Sequence, residues 1–189
     1  MRRLIYYTTV SLDGYFSHED GSLDGFEPPT AEEHQYANDL VAGADAFIFG
    51  RVMYDLMRYW DTEDATGPHA SDVEREFATI YRSKPRYVLS RTLTSLDDPR
   101  ATILRGDIAG EVARLKAEDG GYLGLGCGPE LVAHFLQHRL VDEVRLRVAP
   151  VALGRGVSIF GALAAPQSFR LTSTTTTTAG SVFLTYEPS

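Results

Sequence analysis

The chain has 189 residues, 43% hydrophobic and 23% charged, with a net charge of −8. That suits a single domain with a real core. So acidic a balance argues against a nucleic-acid footprint, which is usually basic, and no run of about 18 apolar residues offers a membrane span. The one cysteine, Cys127, excludes an internal disulfide. Arg2 and Arg3 are not followed by a long apolar core, so no signal peptide is expected and the cytoplasm is the expected compartment.

Residues 4–10 are rich in aromatic and β-branched types and predict a first strand. Ser11-Leu12-Asp13-Gly14 ends it, and Asp-Gly is a turn signal. Asp13 reads either as an Asx turn or as a polar group at a strand end facing a cleft. Residues 18–29, with Gly21, Gly25, Pro28 and Pro29, form a loop long enough to cover a site. Thr30-Ala31-Glu32-Glu33 is a capping box opening a helix to about Ala42, with Gly43 as its stop. Its acids read as first-turn and surface charges; the alternative is that Glu33 or His34 faces a cleft.

Ala46–Phe49 predicts a second, buried strand, followed by Gly50-Arg51 and a short helix carrying Tyr54, Leu56, Met57 and Tyr59. A cation at a helix start opposes the dipole, so Arg51 points to an anion. Residues 60–68 read as a loop, and residues 71–82 as a helix capped by Ser71 with Glu74 three positions on. Arg86–Leu89 is a third strand, with Ser90-Arg91-Thr92 just beyond it. Residues 102–104 predict a short fourth strand and 108–117 a helix.

Tyr122–Leu125 reads as a buried strand running into Gly126-Cys127-Gly128. A helix follows with Leu131, Val132, Phe135, Leu136 and Leu140 on one face, and Pro129 suits its first position. Strand, glycine turn and helix aim free N–H groups at an anion. Gly126 and Gly128 would leave the main chain open to a phosphate; a tight turn is the plainer alternative. Cys127 is either a thiol activated at the helix start or a small residue beside a bound phosphate. From 141 to 148 the chain alternates, Val144, Leu146 and Val148 against Glu143, Arg145 and Arg147, which predicts a half-exposed, antiparallel strand. Residues 169–178 and 181–186 predict a hairpin turning at Ala179-Gly180, the threonine run being strand.

These elements make an α/β chain: a mostly parallel sheet with antiparallel C-terminal strands. Three strand ends carry Gly50-Arg51, Ser90-Arg91 and Gly126-Cys127-Gly128, and ligands of such sheets sit outside the carboxyl ends of the strands. Two arginines and two glycine turns fit a ligand with several phosphates, a dinucleotide above all. No G-x-G-x-x-G follows the first strand, and no Walker or G-x-S-x-G motif occurs. His18, His34, His69, His134 and His138 are scattered, and the last two lack the partners of a metal site.

Taken in order, Ser11-Leu12-Asp13-Gly14, Phe49-Gly50-Arg51 with Tyr54, Tyr87-Val88-Leu89-Ser90-Arg91, Gly126-Cys127-Gly128 with Leu131, Leu140-Val141-Asp142-Glu143, and Pro150 with Leu153-Gly154 and Gly156 resemble the dihydrofolate reductase superfamily. The nearest branch contains the C-terminal reductase domain of bifunctional riboflavin-biosynthesis proteins. The resemblance implies a three-layer dihydrofolate-reductase-like fold over residues 1–189, helices on both faces of the sheet, and hydride transfer from NADPH to a small pteridine- or pyrimidine-like substrate. It gives Gly50, Arg51 and Val52 to the cofactor phosphates, and Leu89, Ser90 and Arg91 to the 2′-phosphate and adenine side. Gly126, Cys127, Gly128 and Pro129 go to the pyrophosphate and nicotinamide, with Thr9 and Phe16 beside the ring. It implies a catalytic carboxylate on the first helix, whose matching place falls at Glu33 or His34, a homodimer, and a cis peptide bond at Gly126–Cys127. Asp13, at the end of the first strand, is the other expected catalytic carboxylate. Tyr7 stands where the riboflavin branch carries lysine, Met53 replaces a threonine, and Cys127 replaces the second glycine of a pair. The reaction is therefore expected and the substrate left open. The rival expectation is a nucleotide-binding module that keeps the fold without reductase activity.

Overall fold

The computed structural model describes residues 1–189. The chain forms two compact units, one of Met1–Arg3 with Pro29–Cys127 and one of Leu4–Pro28 with Gly128–Ser189.

In chain order the strands are β1 (Arg3–Val10), β2 (Tyr15–Ser17), β3 (Ala44–Gly50), β4 (Arg86–Leu89), β5 (Ala101–Leu104), β6 (Tyr122–Gly126), β7 (Glu143–Val148), β8 (Val157–Ser158), β9 (Phe169–Thr176) and β10 (Val182–Pro188). The helices are α1 (Ala31–Gly43), α2 (Arg51–Met57), α3 (Asp72–Arg82), α4 (Ile108–Ala117) and α5 (Pro129–Gln137).

In the first unit the strands run in the order β5-β4-β3-β6, all parallel. Helices precede β3, β4 and β6, as crossovers between parallel strands usually do, whereas β5 is reached from β4 through the helix-free segment 90–100. Both expected capping boxes form: Thr30 with Glu33 opens α1, and Ser71 with Glu74 opens α3. Asn38 of α1, fully buried, donates to Val73 O and Glu76 Oε2 and so fastens α1 to α3. The core is aromatic: Phe47, Phe49, Tyr54, Phe77 and Tyr81 cluster with Val41, Ala44 and Val88. Phe47 and Phe49 stack at 5.5 Å. They sit opposite Gly124 and Gly126 of β6, where a methyl would come within 2.7 and 2.8 Å of the two rings. The segment after α2, read from sequence as a loop, contains two short 3-10 turns, Arg58–Asp61 and Glu63–Ala65. Trp60 in the first of them packs 4.5 Å from Phe77.

Behind β4 lies an ion network that the sequence did not reveal. Arg86, with no exposed surface, is bidentate to Asp61 at 2.9 and 3.0 Å, bonds Asp98, and lies 4.0 Å over the Tyr81 ring. Arg100 joins the same two carboxylates.

In the second unit the order is β1-β7-β10-β9. β7 is parallel to β1 and antiparallel to β10, and β9 closes the hairpin as expected. The expectation for β7 needs correction. It is paired on both sides, and Glu143 and Arg147 are buried. Polar alternation marks a half-exposed strand only when the polar side chains reach water. Here Glu143 bonds Arg145, and Arg147 donates to Ser181 Oγ at 3.2 Å. β2 and β8 form a small antiparallel pair that was not anticipated; at three and two residues they are too short for periodicity to register.

Candidate functional site

The carboxyl ends of β4, β3 and β6 lie side by side. Register places Gly50 opposite Leu89, and Phe49 opposite Gly126. The three motifs expected to hold a ligand, Gly50-Arg51, Ser90-Arg91 and Gly126-Cys127, are therefore brought to one end of the first unit's strands.

Their availability differs. Gly50 precedes α2 with an extended backbone, and Val52 is 74% exposed. Arg51, expected to serve an anion, is paired with Asp55 one turn on, at 2.5 Å. Leu89 is buried as the last residue of β4. Ser90 Oγ accepts from the N–H groups of Thr92 and Leu93 at 3.3 and 3.1 Å, which folds residues 90–93 into a turn. Arg91, at that turn, is exposed and has no ion pair or hydrogen bond. Of the two arginines in these motifs, it is the one without a partner.

The glycine stretch needs three corrections. The Gly126–Cys127 bond is trans, since the chain contains no cis peptide. Gly126 lacks a side chain to admit the Phe49 ring, not a phosphate; the open glycine is Gly128, around which a methyl would meet nothing within 4 Å. Cys127 is buried, and desolvation pushes its thiol up from the ordinary 9.0, the opposite of activation. Pro129 takes the first position of α5, as expected.

In the second unit, Thr9 lies in β1 opposite Arg147, and Phe16 in β2 is half-buried. Asp13 is fully committed. It accepts from Ser11 Oγ at 2.6 Å, from Leu153 N–H at 3.1 Å and from Gly154 N–H at 2.7 Å. The Ser11 hydroxyl above all, with the two backbone N–H groups, lowers its pKa to about 2. Both open readings of Asp13 thus resolve into an anchor tying the turn after β1 to the 150–156 loop. The 18–29 loop is tied to itself, with His18 N–H donating to Ser22 O and His18 Nε2 3.0 Å from Asp24 O.

Glu33 of the first unit is also engaged. Its Oε2 accepts from Thr30 N–H at 2.9 Å and Thr30 Oγ1 at 3.3 Å, and it is 2% exposed. His34 stands edge-on to Trp60 and Phe77, with Nδ1 3.0 Å from Asn38 Oδ1. No three His, Cys, Asp or Glu side chains are grouped to hold a metal, and no helix is long and apolar enough to cross a membrane.

One residue of this end was missed. Arg105, the first residue after β5, donates to Leu93 O in the turn that carries Arg91. The signal was in the sequence: β3, β4 and β5 are each followed within two residues by an arginine.

Parallel strands ending in glycine, hydroxyl and guanidinium, followed by an antiparallel C-terminal hairpin, place the chain in the α/β class with dihydrofolate-reductase-like folds. More narrowly, it belongs to the RibD C-terminal domain family, which it matches over residues 2–183. It is 29% identical to the uncharacterized protein YyaP of Bacillus subtilis, over 98% of this chain and 94% of that one. A candidate riboflavin-biosynthesis protein from Shewanella sp. PV-4 has the same fold, with a TM-score of 0.75 and 25% identity over 99% of both chains. So does the diaminohydroxyphosphoribosylaminopyrimidine deaminase/5-amino-6-(5-phosphoribosylamino)uracil reductase of Thermotoga maritima, with a TM-score of 0.70 at 14% identity; the chain spans 57% of that protein.

Proposed function

We propose that the protein is an NADPH-dependent reductase that passes a hydride to a small pteridine- or pyrimidine-like substrate. The observation that carries this is the free Arg91 on its Ser90 turn, at the carboxyl end of parallel strands, in a chain of a reductase-domain family. The fit to the cofactor is chemical. NADPH differs from NADH by one phosphate monoester, which calls for donors and positive charge. Residues 90–96 bear no carboxylate, and an unneutralised guanidinium stands among them. Guanidinium and phosphate form charge-assisted, often bidentate bonds.

When bound, the nicotinamide supplies the hydride. The chain's own part is to hold and orient, with Arg91 on its Ser90 turn taking the 2′-phosphate. The resemblance gives Thr9 and Phe16 to the ring. A general acid needs a pKa near the working pH. Asp13, lowered to about 2, has no proton to give there.

A second reading rests on that last point. Both expected proton-handling carboxylates, Asp13 and Glu33, are occupied in turns and caps. A nucleotide-binding module without turnover would have no further use for them. Following nicotinamide absorbance with NADPH and a panel of dihydropteridines and aminopyrimidines separates the two. Oxidation with any member supports the reductase. Tight NADPH binding with none supports the module. In calorimetric titrations NADPH is expected to bind about tenfold or more tighter than NADH, and Arg91→Ala to remove most of that difference. Equal affinities in the wild type would remove Ser90 and Arg91 from the cofactor site.

A further inference from the structure

The turn carrying Arg91 is pinned at Leu93 from three directions. Ser90 Oγ accepts its N–H, its side chain packs against the aromatic core of the first unit, and its carbonyl accepts from the Arg105 guanidinium. Arg105 reaches that carbonyl because β4 and β5 are in register, Leu89 opposite Leu104, and Ser90 N–H donates to Leu104 O at 3.4 Å. The two arginines are also alike in their charge environment. Arg51 is neutralised by Asp55, and Arg100 by Asp61 and Asp98, whereas Arg91 and Arg105 have no carboxylate partner. A chain of net charge −8 thus keeps two uncompensated guanidiniums on adjacent strand ends, one holding a backbone carbonyl and the other holding nothing.

We propose that Arg105 is a positioning residue for phosphate recognition. By holding Leu93 O it fixes the Ser90–Leu93 turn before any ligand arrives, so that Arg91 meets a ribose phosphate monoester already in place. Ordering a loop or a long side chain at the moment of binding weakens affinity; ordering it in advance avoids that loss. The inference rests on the cofactor reading above and gives Arg105 a role that acts through Arg91.

The test uses two soluble probes, adenosine 2′,5′-bisphosphate and adenosine 5′-monophosphate, titrated calorimetrically into the full chain and four variants: Arg91→Ala, Arg105→Ala, Arg105→Lys and the double alanine variant. The wild type is expected to prefer the bisphosphate by about tenfold or more. Arg105→Ala should reduce that preference by roughly three- to tenfold and leave monophosphate affinity unchanged. Arg105→Lys should recover part of it, since an ammonium can still donate to Leu93 O. The double variant should be no worse than Arg91→Ala alone, the mark of two residues acting as one unit. Amide exchange in the ligand-free protein reads the turn itself: Thr92 and Leu93 should exchange faster in Arg105→Ala.

An unchanged preference in Arg105→Ala, or an equal loss for both probes, overturns the positioning role. So do losses that multiply in the double variant, which would mean an independent contact. A wild type that does not distinguish the probes, while the exchange response persists, refutes the phosphate reading of these strand ends and leaves Arg105 as a turn anchor only.

Discussion

Two motif residues turn out to serve neighbours within the fold. Gly126 reads in sequence as a place where a phosphate can approach, yet its missing Cβ is filled from inside by Phe49, as Gly124 is by Phe47. Glycine weakens a strand and persists there where another group comes close; here that group is an aromatic ring stacked on its fellow. Gly126→Ala would put a methyl 2.8 Å from the ring and 3.1 Å from Met53 Cγ, so the core must shift. Overpacking of this kind costs about 1–3 kcal/mol, which chemical denaturation of the variant should report. A neutral result would show that Phe49 has another rotamer to take. Asp13 makes the same point for the second unit. Asp13→Asn keeps the shape but sets an amide against a backbone N–H at either Leu153 or Gly154. Faster amide exchange at those two residues is expected, and any loss of turnover should track that loosening.

Elements were legible where one physical signal decides them. The capping boxes at Thr30 and Ser71, the buried strands β3, β4 and β6, and the C-terminal hairpin stand where residue pattern placed them. The gathering of three strand ends also followed, because alternating strands and helices impose parallel pairing. Illegible were features set by distant partners. Arg86 begins a strand and looks like any edge cation, but Asp61 and Asp98, 25 and 12 residues away, make it a fully buried hub. The same holds for Arg147 with Ser181, which turned an apparently half-exposed strand into an interior one. The Asp13 anchor joins two motifs about 140 residues apart, so each looked like a separate site feature. Removing one member of a buried ion network costs up to about 3–5 kcal/mol, and without Arg86 the two carboxylates keep only Arg100, which is partly exposed. Arg86→Ala should therefore lose about that much stability. Arg86→Met, which fills the space but leaves Asp61 and Asp98 to Arg100 alone, should recover little of it. Full recovery by methionine would mean that Arg86 contributes volume and not charge.

Stability of the whole molecule should be bounded by ionisation on both sides. On the acid side, Asp13, Asp98 and Glu74 all have lowered pKa values in the fold. Asp13 is lowered by Ser11; Asp98 is lowered by hydrogen bonds from the Arg100 N–H and the Arg86 and Arg100 side chains, which outweigh its desolvation; Glu74 is lowered by Ser71. As pH falls, the unfolded chain takes up these protons first, near the ordinary values of 3.8 and 4.5. Their contribution is therefore complete above pH of about 5 and declines from there toward 2. On the alkaline side the sign reverses. Cys127 and Tyr81 are pushed up by burial from ordinary values of 9.0 and 10.0, so the unfolded chain releases those protons first and stability falls as pH rises through 9 and then 10. Thermal melts across pH 3–11 should show a plateau between about 5 and 8.5 with two limbs. The limbs can be assigned separately. Cys127→Ala removes the first alkaline proton and should move the onset of that limb from near 9 toward 10, leaving the acid limb in place. An onset that stands near 10 in both proteins would mean the thiol is not the first buried group to ionise, and would assign the alkaline limb to the tyrosines raised by burial, Tyr54 and Tyr81, the latter with no hydrogen-bond partner for its buried hydroxyl.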